Sequence, residues 1–248
     1  MFFSITFVDA LLFISSVTLV SAAPAPIAVS ADDVILYGSG RFSVMKRSDL
    51  TELEAARNAG TTPPKPSYLE DSLVTFTGNE TNEPQTQRLH RRDTQLIIPA
   101  PNFRFLGWDV QMSQVVKGAP TVISVASGFA ISNSISVGVS SELSLVKEFL
   151  SVSMSVDYSQ SWESSQTQTF EASVPEGKYG AFVSNPWTTR ASGNVWTGTI
   201  GGEGSLTYYQ GDSFDSKKFD TMEWVDGVIS LCTGDEFPLK RCLGEGTL

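Results

Sequence analysis

The sequence predicts an all-β protein: an elongated antiparallel sheet or sandwich, preceded by a small α+β segment. Three observations carry that expectation. Apolar and small polar residues alternate from Ile131 to Trp162, the period-two spacing of a strand with one buried face. Short apolar runs follow at 194–200, 205–209 and 219–225, separated by glycines and charges, the pattern of strands joined by turns. Helix signals are read only near residue 50, where Ser48 precedes a short run that Gly60 and Pro63-Pro64 end.

Within its 248 residues the chain first presents an apolar run interrupted by Asp9 and closed by Val20-Ser21-Ala22. Small residues at those positions suit a signal peptidase, and the run is shorter than the ~20 apolar residues of a membrane-spanning helix. Residues 1–22 therefore read as a signal peptide, and the product as secreted and extracellular.

Residues 23–92 read as a propeptide. Segments 34–37 and 42–45 flank Gly38-Ser39-Gly40 as a hairpin, and 48–58 form the helix. A linker rich in Pro, Thr, Asn and Gln follows. It holds Asn79-Glu80-Thr81, an acceptor for N-glycosylation at Asn79. It ends in Arg88-Leu89-His90-Arg91-Arg92-Asp93, where the pair Arg91-Arg92 is a processing site for a kexin-type protease. Residues 93–248 are then the mature all-β domain.

Seventeen Lys and Arg stand against 27 Asp and Glu, a net charge of −10. An acidic chain is a poor match for nucleic acid, whose phosphates call for a clustered basic surface. The one histidine, His90, precedes the processing site, so the mature domain lacks the imidazole of Ser-His-Asp and Cys-His nucleophile systems and of histidine zinc sites. No P-loop, dinucleotide fingerprint or Gly-x-Ser-x-Gly elbow occurs. Accordingly no catalytic residue, cofactor or metal is assigned and a non-enzymatic protein is expected, a carboxylate pair being the enzymatic arrangement left. Asp212, Asp215, Asp220, Glu223 and Asp226 lack the spacing of a calcium loop and read as a solvated acidic edge. Cys232 and Cys242 are the two cysteines, expected to form one disulfide in an oxidising compartment.

The alternating stretch reads as one amphipathic hairpin. A turn about Lys147-Glu148 sets Leu145 opposite Leu150, Leu143 opposite Val152, Val139 opposite Val156 and Val137 opposite Tyr158, with serines paired on the other face. One register thus sorts both faces. Such a hairpin can pack on a second sheet. Alternatively, strands of ~9–11 residues, apolar toward lipid and polar toward a lumen, can cross a membrane once self-assembly closes their edges. The candidate membrane residues are Val139, Leu143, Leu145, Phe149, Leu150, Val152, Met154 and Val156. Trp187 and Trp196 are candidates for an aromatic glycan-binding surface, or for core and turn packing.

The Ser/Thr-rich stretch 151–169, with Tyr158 and Trp162, runs on to Val174-Pro175-Glu176-Gly177-Lys178. Over residues 121–184 it resembles the aerolysin and epsilon-toxin pore-forming families. The resemblance implies an aerolysin-like sheet, a transmembrane hairpin at 131–156 and a homo-oligomer on the membrane. No receptor-binding domain is apparent, and the hairpin is short for a separate insertion loop. The whole chain, with Val34-Ile35-Leu36-Tyr37-Gly38 and Met45-Lys46-Arg47-Ser48-Asp49-Leu50, resembles secreted fungal candidate-effector-like proteins, which implies secretion toward a host or competitor. Two expectations follow. One is a secreted, processed, non-enzymatic effector or toxin-like protein that associates with membrane lipid, or forms a pore, through hairpin 131–162. The other is a monomeric effector or binding module that recognises a glycan receptor or a host protein without a pore.

Overall fold

A computed structural model describes residues 33–38, 41–77, 94–118, 121–164, 171–219 and 222–248, all within one compact unit, Ala31–Leu248. The signal peptide, Asn79, Arg91 and Arg92 lie outside the described residues.

Strands β1 (Asp33–Gly38) and β2 (Arg41–Lys46) form an antiparallel hairpin, and helix α1 (Arg47–Ala59) follows directly. Ser48 is inside this helix, its hydroxyl donating to Asp49, and Lys46 holds the N-cap without a side-chain bond. Gly60 ends the helix at φ 61°, a left-handed conformation that costs glycine little. A 3₁₀ turn (Ser67–Leu69) and strand β3 (Val74–Thr77) complete the described residues before residue 92.

Beyond it come β4 (Thr94–Pro99), β5 (Phe103–Leu106), β6 (Val110–Gln111), β7 (Val116–Lys117), β8 (Thr121–Ser124), β9 (Ala130–Ser132) and β10 (Ser134–Val137). Next are helix α2 (Leu143–Met154), β11 (Ser161–Glu163) and β12 (Glu171–Val174). The chain closes with β13 (Tyr179–Gly198), β14 (Gly204–Phe214), β15 (Ser216–Phe219), β16 (Met222–Val225) and β17 (Gly227–Gly234).

The fold is mostly β-sheet, and its centre is a nine-stranded antiparallel sheet in the order β17-β13-β14-β10-β3, with β4 to β7 also paired to β13. Strand β13 is the spine. Its 20 residues extend roughly 66 Å at ~3.3 Å each. The first half pairs with β17 and the second with β14. Pro186 sits where the partners change, a position that tolerates a missing N–H.

The expected hairpin is not formed, and the correction concerns its whole tip. Val139 precedes a 3₁₀ turn, Leu143 to Met154 are helical, and Ser155 ends α2 at φ 54°. Leu143, Val146 and Leu150 have the i, i+3, i+7 spacing of a helix stripe, and they pack on Ile135, Val137, Ala191, Val195 and Tyr209. The helix prevails because Val146 and Phe149, which break the strand alternation, find partners in that cluster. Only the base of the expected hairpin pairs, and two residues out of the expected register, with Ile131 opposite Trp162 instead of Ser164. Val137 faces Tyr209 and Val74 instead of Tyr158.

Cys232 and Cys242 form the expected disulfide, consistent with an extracellular protein. Beside it, buried Asp109 accepts hydrogen bonds from the Cys242 and Leu243 N–H groups at 2.6 and 3.0 Å and from Asn185 Nδ2 at 2.7 Å. Asp109 and the two sulfurs lie within 4.8 Å of one another, but disulfide sulfurs offer no thiolate to a metal, so Asp109 serves to anchor the C-terminal tail. No helix among the described residues is long and apolar enough to cross a membrane.

Candidate functional site: one face of the central sheet

Side chains alternate across a strand, so even-numbered residues of β13 and β14 share a face. The register arranges that face in rows. Leu96, Trp196 and Leu206 form the first, and Ile98, Asn194 and Tyr208 the second. Ser192, Gln210, Ser136 and Thr75 form the third, and Phe103, Arg190, Asp212, Ser134 and Thr77 the fourth. The opposite, odd-numbered face carries Ala191, Val195 and Tyr209, packed beneath α2.

The two ends of the even face differ in chemistry and in cover. The first two rows are open: Leu96, Ile98, Leu206 and Tyr208 are 49, 51, 59 and 43% exposed. Trp196 is half-buried among them because its indole lies over Gly198 and Gly204, where any Cβ would overlap the ring. Two glycines at the β13–β14 turn thus let a large aromatic lie close to the sheet. Contiguous exposed apolar side chains of this kind mark contact surfaces more often than chance decoration.

The polar rows are covered except at their Phe103 end, where that ring is 44% exposed. Arg190 donates from Nε and Nη2 to the two Asp212 carboxylate oxygens, each at 2.7 Å, with both side chains buried. The remaining partners come from the stretch before residue 92. Arg190 Nη2 also donates to the Lys65 carbonyl at 2.6 Å, and the Ser67 N–H donates to Asp212 Oδ2 at 2.7 Å. Ser136 Oγ donates to the Ser67 carbonyl at 3.0 Å. Ser134 Oγ, Gln210 Nε2 and Ser67 Oγ are buried at this seam without a hydrogen-bond partner, which limits how much the cover stabilises. Burial beside the seam pushes the Tyr68 hydroxyl up to about 12.

The two candidate tryptophans do not share a surface. They lie nine positions apart on β13, roughly 30 Å, and on opposite faces. Trp187 packs with the cluster of Met45, Leu53, Leu106, Val228 and Leu243, and the Arg104 guanidinium lies 4.6 Å from its ring centre. The candidate membrane residues are likewise dispersed by helix formation. Leu143 and Leu150 are buried, Leu145, Phe149, Met154 and Val156 partly so, and Val152 is 78% exposed. Asp212 is not on a solvated edge but in the buried ion pair. Asp226 bridges Arg104 and Lys217 at 3.2 and 3.0 Å.

Leu96, Ile98, Leu206 and Tyr208 were not singled out from sequence. The signal available was the alternation Leu96-Ile97-Ile98 and Leu206-Thr207-Tyr208 about Trp196, which shows amphipathic strands but not that three of them align. Together the fold and this face define a disulfide-bonded, sheet-rich protein whose central sheet carries one face that is open and apolar at one end, covered and polar at the other. No family model, curated protein or solved structure matches the chain.

Proposed function

We propose that the chain is the precursor of a secreted, proteolytically processed, non-enzymatic protein of effector or toxin-like character, which acts by binding a protein partner through the even face of its central sheet. The observation that carries this reading is the exposed block of Leu96, Ile98, Leu206 and Tyr208 around half-buried Trp196, on three adjoining strands. Its aliphatic character favours a protein over a glycan, because Leu96, Ile98 and Leu206 present no group that could hydrogen-bond a sugar hydroxyl. Trp196 and Tyr208 supply the aromatic anchors that dominate protein interfaces. The non-enzymatic reading is supported by the residue inventory, with His90 the one histidine of the chain.

Membrane association through 131–162 makes a different demand. Helix α2 would have to unwind, and Leu143, Val146 and Leu150 would have to leave their contacts with Ile135, Val137 and Tyr209. One experiment compares the readings. Labelled protein should bind target cells saturably, lose that binding when cell-surface proteins are digested, and bind about tenfold more weakly as Trp196→Ala with its circular dichroism unchanged. Binding that survives protease but not glycosidase would transfer the function to a glycan receptor. Dye release from protein-free liposomes would restore the membrane reading.

A further inference from the structure

Residues 45–77 complete the main sheet and its core. Met45 and Leu53 are 2 and 1% exposed, and their cluster partners Leu106, Val228 and Leu243 all lie beyond residue 92. Strand β3 adds four residue pairs along β10, the mode by which an extended segment binds a sheet edge. Between these anchors the segment crosses Trp108, whose indole N–H donates to the Pro63 carbonyl at 2.8 Å. It then caps the Arg190–Asp212 pair through Lys65 and Ser67. From α1, Arg57 donates to Ser230 Oγ at 2.9 Å and lies 3.7 Å from Asp109.

Removing this segment would open the β10 edge, expose an apolar cluster and deprive a buried ion pair of two backbone partners. Each change is unfavourable in water. Nothing covalent would retain the segment after cleavage, since both cysteines, Cys232 and Cys242, lie beyond residue 92.

We propose that cleavage in the linker before residue 93 yields a two-chain protein, in which residues 45–77 stay bound without a covalent link to residues 93–248. The segment then serves as a permanent subunit that fills the β10 edge and the polar rows, and it leaves the apolar rows around Trp196 free. The inference rests on the proposed processing and is independent of which partner the face binds.

The test uses the precursor, residues 23–248, carrying a site for a sequence-specific protease within residues 82–90, so that cutting does not depend on recognition of Arg91-Arg92. After complete cutting, the two chains should elute together and give a 1:1 mass under native conditions, while separating on a denaturing gel. Ser67→Pro removes the N–H that Asp212 accepts and sets the ring Cδ against Asp212 Oδ2 in its place, while Pro66 already holds φ −59° and ψ 146°, the extended conformation a following proline requires. That variant should lose the segment at least about tenfold faster, from the lost charge-assisted hydrogen bond together with the overlap. Glu52→Ala, exposed on α1, should dissociate at the parent rate. Separation of the cut chains on the column, with 93–248 remaining a folded monomer, would overturn the proposal. So would an unchanged rate for Ser67→Pro. Co-elution together with failure of the cell-binding experiment would overturn the binding reading alone.

Discussion

Asp212 is fully buried and accepts from Arg190 Nε, Arg190 Nη2 and the Ser67 N–H, so its charge is tolerated only while those donors remain. Arg190→Ala should lower unfolding free energy by about 3–5 kcal/mol, because it strands a buried carboxylate. Removing Asp212 as well should recover part of that loss, and urea titrations of the single and double variants measure it. Glu142 makes the opposite case. It is 3% exposed, burial raises its pKa above 4.5, and Thr207 Oγ1 donates to it with a smaller, lowering effect. A raised carboxyl contributes stability that is full below about pH 4.5 and is lost as pH rises through the raised value. Glu142→Gln should therefore be more stable than the parent at neutral pH, and the difference should vanish toward acid in thermal melts. Neither environment is legible in sequence. The partners of Asp212 lie 22 and 145 positions away, and no local pattern joins them.

Helix α2 shows where local spacing ceases to decide. Leu143, Leu145, Leu150 and Val152 satisfy a strand alternation, while Leu143, Val146 and Leu150 satisfy a helix stripe. The hairpin reading sets Leu150 and Val152 on one apolar face, whereas the helix buries Leu150 at 1% and exposes Val152 at 78%. Leu150→Ala should accordingly cost about 2–5 kcal/mol, and Val152→Ala about 0.5 kcal/mol or less. Equal losses in chemical denaturation would return the strand assignment. The C-terminal tail behaves more simply. Its disulfide joins residues ten apart, and replacing both cysteines by alanine should cost about 2–3 kcal/mol through the freed chain, readable as a lower denaturation midpoint. That pairing was legible because two cysteines permit only one.

Across the whole molecule, the boundary drawn at residue 92 divides the chain but not the fold. Strand β3 lies at one edge of the sheet, beside β10, while β4 pairs with β13 on the far side of β14. The segments on either side of the linker therefore hold separate positions in one sheet. A cut between them would leave both strands in place, which is why the products are expected to remain together. The same architecture makes the even face composite: its apolar rows belong to β4, β13 and β14, and its polar rows are closed by residues 63–77. Binding by the apolar rows should consequently be the same before and after cutting. Titration of intact and cut protein against one cell preparation checks this.

By itself the sequence determined a mostly β fold, the single disulfide pairing, the hairpin at 34–45 and the helix that Gly60 ends. Each of these depends on composition or on residues close together in the chain. Tertiary structure decided that 143–154 is helical, that β13 is the spine, that Trp187 and Trp196 face opposite ways, and that residues 45–77 belong to the core. The physical reason is common to all four. Periodicity records that a segment has an apolar side, but which surface covers that side is settled by the free energy of long-range packing. Leu53 against Val228 and Leu150 against Gly211 are contacts that no local window contains.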